Sequence, residues 1–374
     1  MNDPPTAQPA RELAVQAQLL RDQGRWSEAL NADFAAAQAD PDNPGILHNL
    51  AVLLTKFGRL EEGEAVARRA LALAPDAPIL ANTLAHNLLA QGRLTEAWPL
   101  HAARAQLPEL NNGFPRNFPF PHWQGEVLSR KHIAIFPEQG FGDQIQLARF
   151  LPQMIARAGQ VTLLTRPPLV ALFERNFPGL HVVPAEGNTE FPDPDYWATM
   201  YDLPAMLRVG LDDVPAAPYL TAPAAAPAAA DGFRVGLRET GNPDHIDDRF
   251  RSLPDAMAQY LRQALPGTIV DLDPARSGAR DFEETAAIIA SLDLVVSVDT
   301  AVAHLAGALG KPCLLLVSGF SPDWRWMFDR DDSPWYPRHR LYRSETDGNW
   351  EPAVTRLIAD VRAIAAGGSG PTLP

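Results

Sequence analysis

Three short stretches carry side chains suited to chemistry on a hydroxyl and a phosphate. In Pro137-Glu-Gln-Gly-Phe-Gly-Asp143 an acid closes a turn in which Gly140 and Gly142 carry no side chain, so a hydroxyl could approach the Asp143 carboxylate closely. A carboxylate so placed can take the proton. The local sequence by itself favours a plainer role for Asp143, as the cap of a helix starting at Gln144. In Ser297-Val-Asp-Thr-Ala-Val-Ala-His304, Asp299 and Thr300 open a helix and His304 follows one turn on, on the same face as Thr300. Amides at a helix start suit a phosphate; an N-cap Asp and a packed His are the usual fates of such residues. In Arg238-Glu-Thr-Gly-Asn-Pro-Asp-His-Ile-Asp-Asp-Arg-Phe-Arg251, the guanidinium groups of Arg238, Arg249 and Arg251 can pair phosphate oxygens bidentately. Asp244, Asp247 and Asp248 offer them ordinary ion pairs instead.

These stretches need strands and helices to hold them. His132–Phe136 reads as a strand, the loop to Asp143 as a turn, and Gln144–Ala158 as an amphipathic helix. A strand at Val161–Thr165, a helix at Pro167–Asn176, a short strand at His181–Val183 and a helical piece at Leu203–Leu207 complete one alternating half, 108–214, whose first part, 108–130, is an irregular connector. A Pro/Ala-rich linker fills 215–232. Alternation then restarts over 233–366: strands at Phe233–Arg238, Thr268–Asp271, Leu294–Val298 and Cys313–Val317, with helices at Pro254–Leu265, Phe282–Ser291 and Ala301–Leu309. A last helix, Pro352–Ala365, is expected to pack back across both halves. Open parallel sheets bind ligands at their carboxyl ends, so the cleft between the halves is the expected site.

Ahead of them, Gly24-Arg25, Gly58-Arg59 and Gly92-Arg93 recur every 34 residues, each followed by Glu28, Glu62 or Glu96. Small residues at Ala29, Ala36, Gly63, Ala70 and Ala97 let helices approach, and Leu47, Leu50, Leu80, Leu84 and Leu88 supply the layer between stacked units. Three helix–turn–helix units are expected over 10–107, either as a groove for a peptide or as a stabilising cap.

Composition sets limits. The chain of 374 residues is 46% hydrophobic and 21% charged, an ordinary globular balance. Its net charge of −13 argues against a broad grip on nucleic acid, so any anionic ligand needs a local basic pocket. The single Cys313 sits in an apolar run and reads as core. Neither a secretory signal nor a run long enough to span a bilayer is present, which points to a cytoplasmic protein. Asp271-Leu-Asp273 and Asp193-Pro-Asp195 look like metal-holding pairs but are too short a pattern to count, and no metal site is expected. Gly140-Phe-Gly142 lacks the rest of a dinucleotide fingerprint.

Pro137–Asp143, Ser297–His304 and Ser321-Pro-Asp-Trp-Arg-Trp326 together resemble bacterial tetratricopeptide proteins fused to a GT-B glycosyltransferase domain, itself similar to the ADP-heptose heptosyltransferases, over roughly residues 10–366. The implied fold is multi-domain α plus α/β: tetratricopeptide helical repeats, then a GT-B pair of Rossmann-like halves, the first facing the acceptor and the second the donor. The implied activity is transfer of a sugar from a nucleotide-sugar substrate to a hydroxyl, usually without metal and with no further cofactor. That chemistry needs a base for the hydroxyl and positive groups for the leaving diphosphate. The resemblance makes Asp143 the base, adds Gly140, Gly142 and Gln144 to the substrate-binding set, and carries donor binding to Asp299, Thr300 and His304.

Two departures stand out. Ala301 replaces the family's usual Gly, and the loop that carries a Lys in heptosyltransferases holds Arg238, Arg249 and Arg251 here; Lys56, Lys131 and Lys311 all lie elsewhere. Some relatives of this arrangement modify surface proteins such as flagellin, so a protein acceptor presented by the repeats is expected. The rival reading is a non-catalytic interaction protein with a degenerate GT-B domain. Trp324, Trp326, Trp335 and Trp350 cluster late in the chain, where one could stack on a base or sugar; Trp326 and Trp350 read as packing.

Overall fold

The computed structural model describes residues 7–107, 116–187, 189–223, 232–244 and 247–367. The linker stretch 224–231 and the connector stretch 108–115 lie outside them. Contacts divide the chain into two units: residues up to 110 together with Gly319–Phe328, and residues 111–318 with 329–374.

The first unit is built from the helices α1 (Ala7–Asp22), α2 (Trp26–Ala39), α3 (Pro44–Lys56), α4 (Leu60–Leu73), α5 (Pro78–Ala90) and α6 (Leu94–His101). The 34-residue beat has a backbone cause: Gly24, Gly58 and Gly92 all take φ near +74°, the left-handed turn between paired helices. After each, the arginine pairs with the glutamate three residues on, Arg25 with Glu28, Arg59 with Glu62 and Arg93 with Glu96. These exposed pairs add little stability. The packing lies elsewhere: Ala29, Ala36, Ala70, Ala97, Leu50, Leu54, Leu84 and Leu88 are all buried. In the third unit Pro99 sits inside α6, which gives way after His101 to a tight turn at Ala102–Gln106.

The second unit holds two parallel sheets. In the first half β1 (His132–Phe136), β2 (Gln160–Thr165), β3 (Leu180–Pro184) and β4 (Tyr196–Thr199) lie in the order β3-β2-β1-β4. The helix expected at 144–158 differs. It starts earlier, as α7 (Phe141–Leu147), and breaks into a tight turn at Ala148–Phe150 before α8 (Leu151–Arg157). Pro152 has no N–H to bond back to Ala148, which favours a break here and a fresh start at α8. A helix α9 (Val170–Asn176) follows β2 and a short α10 (Leu203–Met206) follows β4.

In the second half β5 (Arg234–Arg238), α11 (Asp248–Arg251), α12 (Asp255–Ala264), β6 (Thr268–Asp271), α13 (Pro274–Ser277), α14 (Phe282–Ala290), β7 (Leu294–Val298), α15 (Ala301–Ala308), β8 (Cys313–Val317), β9 (His339–Arg343) and α16 (Glu351–Ala365) follow in turn. The sheet order is β6-β5-β7-β8-β9, all parallel. The closing helix α16 does not straddle the halves as expected: its buried face, Ala353, Val354, Leu357, Ile358 and Val361, sits in the core of the second half with Val235, Leu237, Val296 and Leu314. Apolar matching decides this, since that face packs beside Leu261 of α12 to cover one side of the second sheet.

Part of the Pro/Ala-rich linker is docked. The amides of Tyr219 and Leu220 both donate to Ala308 O at 3.0 and 3.1 Å, and Tyr219 Oη donates to Ile145 O at 2.8 Å, tying α15 to α7. Arg149, almost wholly buried, donates to Trp335 O at 2.9 Å and lies over the rings of Tyr219, Trp335 and Tyr336. Both contacts join the two halves. No helix among the described residues is long and apolar enough to cross a membrane.

Candidate active site

The carboxyl ends of β1 and β4 run side by side, with Phe136 opposite Thr199. After β1 the chain turns through Gln139, a non-glycine residue at φ +67°, and α7 begins at Phe141 with Gly140 as its N-cap. Asp143 is therefore the third residue of the helix rather than the residue before it. Its Oδ2 accepts from Gly140 N at 2.8 Å, and its Oδ1 accepts from Tyr201 Oη at 2.6 Å, just past the end of β4. The capping role is real, but it uses one oxygen; the carboxylate stays half-exposed.

Gly142 faces the second half. A Cβ there would lie 2.8 Å from His304 Cδ2, 3.4 Å from His304 Nε2 and 3.5 Å from Ala301 Cα. The starts of α7 and α15 thus meet across the halves at a contact that only glycine permits. His304 is buried, with Nδ1 3.0 Å from Tyr336 Oη. Burial holds the Tyr336 phenol well above its ordinary pKa. Behind it His339 donates from Nε2 to Ala303 O at 3.0 Å, and burial pushes its imidazole down to about 4. Thr300 is the N-cap of α15, with Asp299 half-exposed beside it.

Arg238 ends β5 opposite Ser297 of β7, which places it on the same sheet edge as Asp299 and Thr300. Its guanidinium donates to Asp273 and, at 3.2 Å, to Gly241 O. Arg251 donates from Nε to Asp248 Oδ1 at 3.1 Å, and a Cβ on Gly241 would lie 2.6 Å from that same nitrogen. The two arginines so converge on Gly241. Arg249 does not join them: it is exposed, lying over the Phe250 ring at 4.8 Å. Next to this cluster Asp271 and Glu239 share Arg262 and Arg276. Burial opposes ionisation of Asp271, yet Arg276, the Asp273 amide and Arg262 outweigh it and lower its pKa. Of the acidic pairs discounted from sequence, Asp271, Asp273 and Asp195 are in ion pairs, Asp273 with Arg238 and Asp195 with Lys131.

Of the expected site residues, the structure brings Gly142 against His304 and Ala301, with Asp143 next to Gly142 in α7, Thr300 as the N-cap of α15, Arg238 on the same sheet edge as Thr300 and Arg251 meeting Arg238 at Gly241. Gln144 is elsewhere: fully buried, it accepts from Thr165 Oγ1 at 2.8 Å and so ties α7 to the end of β2. The loop at Asp323–Trp326, which carries two of the late tryptophans, packs in the repeat unit, with Trp324 edge-on to Trp98 at 5.9 Å. Trp326 and Trp350 are buried, in keeping with a packing role. Tyr201 and Tyr336 were missed. Both are aromatic hydroxyls beyond strand ends or in loops, far in sequence from the residues they hold.

Comparison with known proteins fits this arrangement. Residues 256–325 match the model of glycosyltransferase family 9 (heptosyltransferase), and residues 20–85 match a tetratricopeptide repeat model. The chain thus joins tetratricopeptide-like helical repeats to a parallel-sheet α/β region, part of which is similar to the heptosyltransferases. Among curated proteins, Protein FlbA of Caulobacter vibrioides is 27% identical over 379 residues, covering 87% of this chain and 62% of FlbA, so this chain spans less than two thirds of that relative's length. Among solved structures, E. coli ADP-heptose lipopolysaccharide heptosyltransferase II is 13% identical, with 63% of this chain and 99% of that one covered at a TM-score of 0.43. The iron-containing dodecameric glycosyltransferase TibC of enterotoxigenic E. coli is 11% identical, covering 51% of this chain and 59% of TibC at a TM-score of 0.37.

Proposed function

We propose that this chain transfers a sugar from a nucleotide-sugar donor to an acceptor hydroxyl. The observation that carries the reading is the contact of Gly142 with His304 and Ala301, which sets the Asp143 turn against the Thr300 helix start. The heptosyltransferase-type match at 256–325 supports the class. In this reading Asp143 accepts the acceptor proton as the acceptor oxygen bonds to the anomeric carbon, and the bond from that carbon to the diphosphate oxygen breaks. Arg238, Arg251 and the first amides of α15 receive the charge on the departing diphosphate. Asp299 and His304 line the donor side, Gln144 positions α7, and Arg249 lies outside the set. No metal and no further cofactor enters the proposal, and a cytoplasmic protein acceptor offered through the repeats is its outermost part.

A second reading, a non-catalytic scaffold, draws on one observation: Arg238 and Arg251 already have carboxylate partners in Asp273 and Asp248. Incubating the purified chain with a panel of nucleotide sugars, with and without cell extract as acceptor, and following released nucleotide separates the two. Turnover with any donor supports transfer. No turnover across the panel, with extract present, supports the scaffold.

A further inference from the structure

The segment Gly319–Phe328 leaves the second sheet at the end of β8 and packs with the repeats. Phe320 sits between two turns of the stack, its ring 5.1 Å from Trp26 and 4.9 Å from Phe57. Ser321 N donates to Lys56 O at 2.8 Å, while Lys56 Nζ donates to Ser321 Oγ at 2.7 Å. Phe328 covers Gly58, where a Cβ would come within 2.7 Å of its ring. Along the segment Asp323 takes both oxygens to Arg325 and its amide, and Arg325 lies over the Trp324 ring at 4.5 Å.

The segment is strained. Ser321 has φ +54°, and Met327 has φ +52° with ψ −161°. Side chains there cost about 1–3 kcal/mol each and persist only where the surroundings over-determine them. The surroundings here are the repeats at the tip and the second sheet at the roots, where Ser344 N donates to Val317 O at 3.0 Å and Arg343 Nε to Arg330 O at 3.2 Å. The root adjoins the candidate site: Leu316 pairs with Val298, so Val317 and Asp299 follow side by side at the ends of neighbouring strands.

We propose that the repeat stack is an internal clamp on the β8–β9 loop, with Lys56, Phe57 and Trp98 acting as positioning residues that hold Phe320, Ser321 and Trp324 and thereby fix the Asp299–Thr300 edge. Release of the loop relaxes Ser321 and Met327 and loosens that edge. The consequence for donor binding rests on the proposed glycosyl transfer; the mechanical coupling does not.

Hydrogen exchange on the full chain tests it without any donor. Phe320→Ala, Trp98→Ala and the milder Lys56→Met are compared with the wild type, following peptides that cover 297–303, 318–328 and, as a control for folding of the repeats, 44–56. The expected result for Phe320→Ala is exchange about tenfold faster in 318–328 together with a rise of about threefold or more in 297–303, with 44–56 unchanged. Lys56→Met should give the same pattern at smaller amplitude. Faster exchange in 318–328 with 297–303 unmoved overturns the proposal, as does an unmoved 318–328. Should a donor prove active, Phe320→Ala is expected to raise its KM about three- to tenfold with kcat less affected. Failure of every donor removes the glycosyl-transfer reading and leaves the exchange result standing.

Discussion

Gly142 and His304, 162 positions apart, touch so closely that a single methyl on the glycine would lie 2.8 Å from the imidazole. The histidine is held from behind by Tyr336 and has little room to yield. Gly142→Ala is therefore expected to push α7 from α15. We expect a stability loss of about 1–3 kcal/mol and at least a tenfold drop in kcat/KM under the proposed reaction, checked by urea unfolding and donor turnover. Unchanged turnover would show that this contact does not set the site.

Asp143→Asn keeps shape and can still meet Gly140 N and Tyr201, yet it cannot take a proton. Its kcat is expected to fall about 10²–10⁴-fold, while nucleotide affinity and melting temperature stay near wild type. Tyr201→Phe removes the 2.6 Å bond while keeping the ring, and should give a smaller loss. Equal turnover in Asp143→Asn would leave Asp143 as a cap.

The first two repeat glycines offer an internal comparison. Both Gly24 and Gly58 have positive φ, which costs alanine about 1–2 kcal/mol. Around Gly24 the nearest atom to an added Cβ is 4.0 Å away, whereas at Gly58 the Phe328 ring is at 2.7 Å. Gly58→Ala should therefore destabilise more than Gly24→Ala, by about a further 1–3 kcal/mol, in thermal or urea unfolding. Equal losses would mean that Phe328 moves aside freely.

Acid should loosen the second half. His339 has a folded pKa near 4 against an ordinary 6.5, so between these values the unfolded chain binds a proton that the folded chain refuses. Stability from this group is complete above pH 6.5 and is lost as pH falls toward 4, on the order of 3 kcal/mol in all. His339→Gln lacks that loss. The stability gap between wild type and variant should narrow from pH 7.5 to 4.5, measured by urea unfolding; a constant gap would refute it.

Much of this architecture was legible because it rests on local pattern. The 34-residue glycine beat predicts the repeats since each glycine must take a left-handed turn. Buried strands such as Leu294–Val298 and Cys313–Val317 announce themselves as apolar runs. The strands β4 and β9 do not: Tyr196-Trp-Ala-Thr199 is four residues long after a Pro/Asp-rich stretch, and His339-Arg-Leu-Tyr-Arg343 carries four charged or titratable side chains on an edge strand. Their existence depends on neighbours already in place. At the site, the residues on strand ends were readable from type and position, but what holds them was not. Gln144 looked like a ligand contact because its neighbour did, while the helix start at Phe141 turns it inward.

Removing residues 1–107 would strip Phe320 and Trp324 of the rings they pack on. Such a truncation is expected to lose solubility or melt earlier than the full chain, and Phe320→Ser with Trp324→Ser in the truncated chain should restore solubility. A truncated chain as soluble and stable as the full one would count against this packing.

The excursion of Gly319–Phe328 also bears on ancestry and engineering. Domain boundaries drawn along the sequence treat the repeats as a cassette that fusion can swap. Here ten residues encoded more than two hundred codons downstream complete that cassette, so a chimera made by cutting near residue 110 would pair each lock with a foreign key.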